Sequence, residues 1–186
     1  QITRKRLFDD IDFSVRLGRP NVTIGLIRGK GGQLPYEKEY ELLKYELSNV
    51  ADYANKQGVV LNLEPINRYE VRLLNTSESA YDIIMEIGNP KNVGVLYDTF
   101  HSNIEDMDIL DAIRRIANKI SHVHLADSNR RLPGEGHIDF SSIIATLERS
   151  GYDGFISLES LSIPSEEHVV NHAKSCLENI FKEVKQ

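Results

Sequence analysis

Four short apolar runs in this sequence each end in a side chain able to bind a cation or move a proton. Val59-Val60-Leu61-Asn62-Leu63 runs into Glu64, and Val93-Gly94-Val95-Leu96-Tyr97 into Asp98, with His101 three residues on. Ile120-Ser121-His122-Val123 runs into His124, and Phe155-Ile156-Ser157-Leu158 into Glu159. A β-branched, apolar run that stops at one polar residue is how a buried parallel strand looks when its C-terminal end delivers a side chain to a site. Three carboxylates and one imidazole form a hard, oxygen-rich donor set suited to a divalent metal. They are far apart in sequence, so the fold has to bring them together. A (β/α) barrel does this, because all its strands open C-terminally onto one face.

The elements that must position them alternate. Thr3 to Leu17 reads as a helix ended by Gly18 and Pro20, and Asn21 to Arg28 as a strand. Gly29, Gly31 and Gly32 then make a loop without P-loop spacing, so a flexible strand-to-helix turn is expected rather than a phosphate cradle. Glu37 to Gln57 is amphipathic, with Leu42, Leu43, Tyr45, Leu47, Val50 and Ala51 on its apolar side and Gly58 as its stop. Helices follow over Thr76 to Ile87, Asp106 to Lys119, Asp139 to Ser150, and Ser165 to Lys185. The last should face inward with Val169, Val170, Ala173, Cys176, Leu177, Ile180 and Val184. One helix followed by five βα units implies parallel strands with right-handed crossovers, in one domain over residues 1–186. A closed barrel needs eight strands. The expectation is therefore an incomplete, C-terminal portion of a TIM-type (β/α)8 barrel of the α/β class, with about five parallel strands. An open doubly wound sheet would gather its functional groups at one switch point, not at four strand ends.

Composition sets bounds. The 186 residues are 40% hydrophobic and 27% charged, ordinary for a globular domain with a sizeable core. A net charge of -6 argues against nucleic acid as a partner. No apolar run reaches transmembrane length and no signal-peptide pattern is read, so a cytoplasmic protein without a membrane partner is expected. The single cysteine, Cys176, excludes an intrachain disulfide and reads as a small buried apolar residue. The chain opens on Gln1, not Met, so it can continue a longer polypeptide.

Longer motifs carry a resemblance. These are Glu64-Pro-Ile-Asn67-Arg68-Tyr69-Glu70, Leu74-Asn75-Thr76, Asp98-Thr-Phe-His101-Ser-Asn103-Ile-Glu105, His122-Val-His124, Asn129-Arg130 and Pro133-Gly-Glu-Gly136. In order and spacing they resemble the ketose 3-epimerases, among the xylose-isomerase-like TIM barrels. The likeness covers the C-terminal part of that barrel, strands four to eight. It implies a divalent metal, most often manganese, on Glu64, Asp98, His124 and Glu159, with magnesium, cobalt or zinc as alternatives. It implies Glu64 and Glu159 as the acid/base pair. It implies Glu70, His101 and Arg130 as the residues holding a ketose or similar small sugar.

That chemistry is sound on its own terms. Inverting a carbon next to a ketone means taking a proton from an unactivated C–H. Positive charge on the neighbouring oxygens stabilises the enediolate, and two carboxylates on opposite faces remove and return the proton.

Plainer roles stand beside these. A carboxylate at a strand end can cap the next helix. His101 can make a structural hydrogen bond. His122, two residues before His124, should face the same way one layer deeper and play a structural part. His137, His168 and His172 read as surface or helix histidines, and Asn67 and Arg68 as ties for their loop. Arg130 and Arg131 are adjacent, and by chemistry alone either could enter the site. Among functions, hydroxypyruvate isomerase and inosose isomerase or dehydratase chemistry use the same scaffold. Endonuclease IV-like DNA repair needs further histidines that the sequence lacks. A further alternative, resting on the strand count alone, is an inactive fragment, or one that pairs with another copy as a homo-oligomer or with a separate N-terminal piece.

Overall fold

The computed structural model describes residues 2–184. Its elements in chain order are α1 (Ile2–Arg16), β1 (Val22–Ile24), a 3-10 turn (Leu26–Arg28), α2 (Tyr36–Gln57), β2 (Leu61–Leu63), α3 (Ser77–Glu86) and β3 (Val93–Asp98). Then come α4 (Thr99–Glu105), α5 (Ile109–Ile116), β4 (Ile120–Leu125), α6 (Phe140–Arg149), β5 (Ile156–Leu158) and α7 (Glu166–Val184), with a second 3-10 turn at Ala117–Lys119. All strand pairs are parallel and the sheet order is β1-β2-β3-β4-β5. That order never reverses, so the sheet has no switch point. It is an arc of a barrel, as the four strand-end ligands implied, and not a doubly wound sheet.

The pleat divides the arc into two faces. Leu61, Leu63, Val93, Val95, Tyr97, Val123 and Leu125 point outward into the core beneath the helices. There they meet Ile83 and Ile84 of α3, Ile113 and Ile116 of α5, and Ile143 and Leu147 of α6. The intervening residues, Asn62, Leu96, His122 and Ser157, share the other parity with Glu64, Asp98, His124 and Glu159. The register sets Asp98 beside His124, and His124 beside Ser157.

Helix ends follow their local chemistry. Gly58 closes α2 in the left-handed region at φ 68°. Thr76 and Ser79 form a reciprocal capping box on α3, and Asp139 caps α6 through the Ser142 amide.

Several expectations need correction. The first strand ends at Ile24, and Leu26–Arg28 turns into a 3-10 helix, because the Arg28 guanidinium folds back onto nearby carbonyls. The helix expected from Asp106 to Lys119 starts at Ile109, and a separate short helix, α4, precedes it. Asp98 caps α4 and Asp108 caps α5, so two caps replace one continuous pattern. On α2, Leu42 and Tyr45 are exposed, as is Val170 on α7. The end of the last expected helix, at Lys185, lies outside the described residues. After β1, the amides of Gly32, Gln33 and Leu34 donate to the Glu39 carboxylate, so this loop clasps the chain's own side chain. Among the described residues no helix is long and apolar enough to cross a membrane.

Candidate metal centre

Glu64, Asp98, His124 and Glu159 do converge, each offering one ligand atom within 4.8 Å of the others. From His124 Nδ1 the carboxylate oxygens lie at 4.0 Å (Glu64 Oε1), 3.8 Å (Asp98 Oδ2) and 3.3 Å (Glu159 Oε2). None of these is aligned as a hydrogen bond, and Nδ1 is buried without a partner. A buried, unpartnered imidazole nitrogen facing three carboxylates is the donor arrangement a divalent cation would satisfy. The residues present therefore fit a metal.

Asp98 serves two purposes, one per oxygen. Its Oδ1 accepts the Phe100 and His101 amides at 2.8 and 3.1 Å and so starts α4. Its Oδ2 turns toward His124 and lies 3.2 Å from an Arg130 nitrogen. The helix cap and the candidate ligand are thus one side chain. Arg130, not Arg131, supplies the guanidinium here: it bridges Asp98 and Glu159 and stacks on the Phe100 ring, 4.6 Å from its centroid. Its backbone is in the left-handed region at φ 62°, held by its own amide donating to the Asp127 carbonyl at 2.8 Å.

The electrostatics separate the two glutamates. Burial, reinforced by the neighbouring Glu159 and Asp98 charges, pushes the Glu64 carboxyl up to about 7. Burial also raises Glu159, but the His124 ring, Asp98 and the Arg130 charge outweigh it and hold that carboxyl well below the usual range. Asp98 is pushed up, chiefly by burial. His124 is raised, since the carboxylates around it overcome the effect of burial. One glutamate is disposed to carry a proton and the other to stay ionised.

His101 and Glu70 sit beside this cluster. His101 is buried, with Nε2 4.0 Å from Glu64 Oε1, and burial lowers its ring to about 4. Asn67 links the two, reaching Glu70 Oε1 at 2.8 Å and His101 Nδ1 at 2.9 Å. Arg68 pairs with Glu105 at 2.9 Å and ties its loop down, as expected. His122 meets His124 edge to face with ring centroids 5.1 Å apart, and its Nε2 lies 2.7 Å from Ser157 Oγ, one layer deeper as expected. His168 differs from a free surface residue, since it pairs with the half-buried Glu135 at 2.7 Å. Cys176 is partly buried with its thiol 2.9 Å from the Pro133 carbonyl.

Sequence reasoning missed three positions that shape the site. Gly25 has an ordinary φ of -107°, so its role is space: a Cβ there would overlap Glu64 Oε2. Arg28 was counted into a strand. It is half-buried and donates to the carbonyls of Ile24, Gly25, Glu64, Leu73 and Leu74, binding β1, the end of β2 and the following loop together. A lone arginine in an apolar run was the available signal. Fully buried Asp127 accepts the amides of Ser128, Gly134, Gly136 and Ile138, and so folds the Pro133–Gly136 turn around one carboxylate.

Comparison with known proteins places this geometry. The profile of the xylose isomerase-like TIM barrel matches residues 2–180. An L-ribulose 3-epimerase of Mesorhizobium japonicum is 40% identical over 148 residues, 78% of this chain and 50% of that one. The match thus spans 36–50% of the length of three such curated relatives. A solved L-ribulose 3-epimerase superposes with a TM-score of 0.85 at 31% identity, covering 98% of this chain and 67% of the other. A Methylomonas D-allulose 3-epimerase in complex with D-allulose does so with a TM-score of 0.80 at 27% identity, covering 92% and 60%. With this profile match over nearly its whole length, the chain belongs to the xylose isomerase-like TIM barrel family.

Proposed function

We propose that this chain is one unit comprising strands four to eight of a metal-dependent ketose 3-epimerase barrel and carries its reacting groups. The observation behind this is the single cluster of Glu64, Asp98, His124 and Glu159 around an unpartnered His124 nitrogen. The epimerase names of the most similar relatives support the same reading. The four side chains would hold a divalent cation, manganese first. Bound there, the cation supplies positive charge to the oxygens of a ketose as negative charge builds on them.

The chain's own groups do the rest. Glu159, kept ionised beside Arg130, takes the C3 proton from one face. Glu64 returns a proton to C3 from the opposite face. The roles reverse for the other epimer. Arg130, His101 and Glu70 bind the sugar's oxygens and fix its alignment, which can be worth ~7–11 kcal/mol in such reactions. The working compartment is the cytoplasm and the substrate a small ketose.

The test is turnover in D2O with added manganese, using ketopentoses and ketohexoses. Deuterium entering C3 together with inversion there is expected. Glu64→Gln and Glu159→Gln should each lower the rate at least ~100-fold, the size of a lost acid or base. Turnover of hydroxypyruvate alone, or cleavage of abasic-site DNA, would overturn the proposal.

A further inference from the structure

We infer that Asn67 is a positioning residue that fixes the tautomer of His101, leaving Nδ1 bare and placing the ring's single hydrogen on Nε2, toward the metal centre. The carboxamide orientation settles this. Asn67 Oδ1 lies 3.0 Å from the Tyr69 backbone nitrogen, which can only donate. The Asn67 amide nitrogen lies 2.8 Å from Glu70 Oε1. Turning the carboxamide over would set an oxygen against a carboxylate and an NH2 against an N–H, so the orientation follows from its neighbours. The same NH2 therefore donates to His101 Nδ1 at 2.9 Å, and the Asn67 backbone amide approaches that nitrogen at 3.4 Å.

A ring nitrogen that receives donors cannot carry a hydrogen of its own. His101 is then neutral, with its hydrogen on Nε2, the atom 4.0 Å from Glu64 Oε1. Asn67 and His101 are both buried, so water does not compete for these contacts. The His101 amide is anchored to Asp98 Oδ1 at 3.1 Å, so backbone and ring are both held. The result is an N–H donor directed into the site, suited to a carbonyl or hydroxyl oxygen of a bound sugar. What that hydrogen meets rests on the proposed function, whereas the tautomer does not.

The test is a long-range proton–nitrogen NMR correlation of the 15N-labelled full chain at one fixed pH, with the His101 ring assigned by its loss in His101→Gln. The wild type should show a bare, pyridine-type Nδ1 and a protonated, pyrrole-type Nε2. Asn67→Asp puts a carboxylate oxygen where the donor was and should exchange the two signals. Asn67→Ala, which removes the donor without replacing it, should give a mixture and serves if the aspartate variant does not fold. A wild-type ring protonated on Nδ1 overturns the inference outright. A tautomer unchanged in both variants overturns the part given to Asn67. Neither readout needs turnover, so a failed sugar assay leaves this result standing, and the reverse also holds.

Discussion

At the scale of residues, the cluster is a competition between protons and a cation for the same carboxylate oxygens. Glu64 is the clearest case, because burial raises its carboxyl from the usual range to about 7. The folded pKa lies above the unfolded one. The protonated, buried form therefore contributes stability that is complete below the unfolded value and lost as pH rises through about 7. A cation entering below that pH must displace the proton. Through Glu64, manganese affinity should thus fall by up to about tenfold per pH unit below 7 and level off above it, measured by calorimetric titration at several pH values. Glu64→Gln should flatten that slope. A slope unchanged in the variant would mean another group carries the proton. His101 acts in the opposite sense: burial holds its ring at about 4, so the stability of its neutral form is lost as pH falls from the ordinary histidine value through 4. The four converging side chains were legible in the sequence because each ended an apolar run. The split between Glu64 and Glu159 was not, since it depends on Arg130 reaching one carboxylate and not the other.

At the scale of elements, the site depends on how closely β1 approaches β2. Gly25 follows the last residue of β1, Ile24, which pairs with Leu63 just before Glu64. A methyl group at Gly25 would take the space that Glu64 Oε2 occupies, so Gly25→Ala should displace the carboxylate by a fraction of an ångström to an ångström. The expected result is a ~100-fold loss of turnover, the cost of small misplacements of reacting groups, with far-UV circular dichroism unchanged. Wild-type turnover in Gly25→Ala would show that Glu64 does not need its present position. In the sequence Gly25 passed simply as part of the strand expected from Asn21 to Arg28, because crowding between strands is a property of their distance, not of either segment. The same limit hid α4. Asp98 was recognised as a strand-end carboxylate, but a cap and a ligand in one residue leave a single letter in the sequence.

At the scale of the whole molecule, parallel alternation made the barrel arc readable: five βα units with a polar strand end on four of them leave few other arrangements. The strand count also implied two unpaired edges. Among the described residues β1 and β5 each pair on one side only, and an apolar cavity of about 350 Å³ opens between α1, α2 and β1. The candidate cluster lies at the C-terminal ends of β2, β3, β4 and the edge strand β5, so it assembles within this length of chain. The most direct test of the account is manganese stoichiometry, by calorimetry on the dialysed chain at pH 7.5, with Asp98→Asn and His124→Ala alongside. One ion per chain is predicted, with binding lost or weakened at least a hundredfold in both variants. No saturable binding, or binding indifferent to both substitutions, would contradict it.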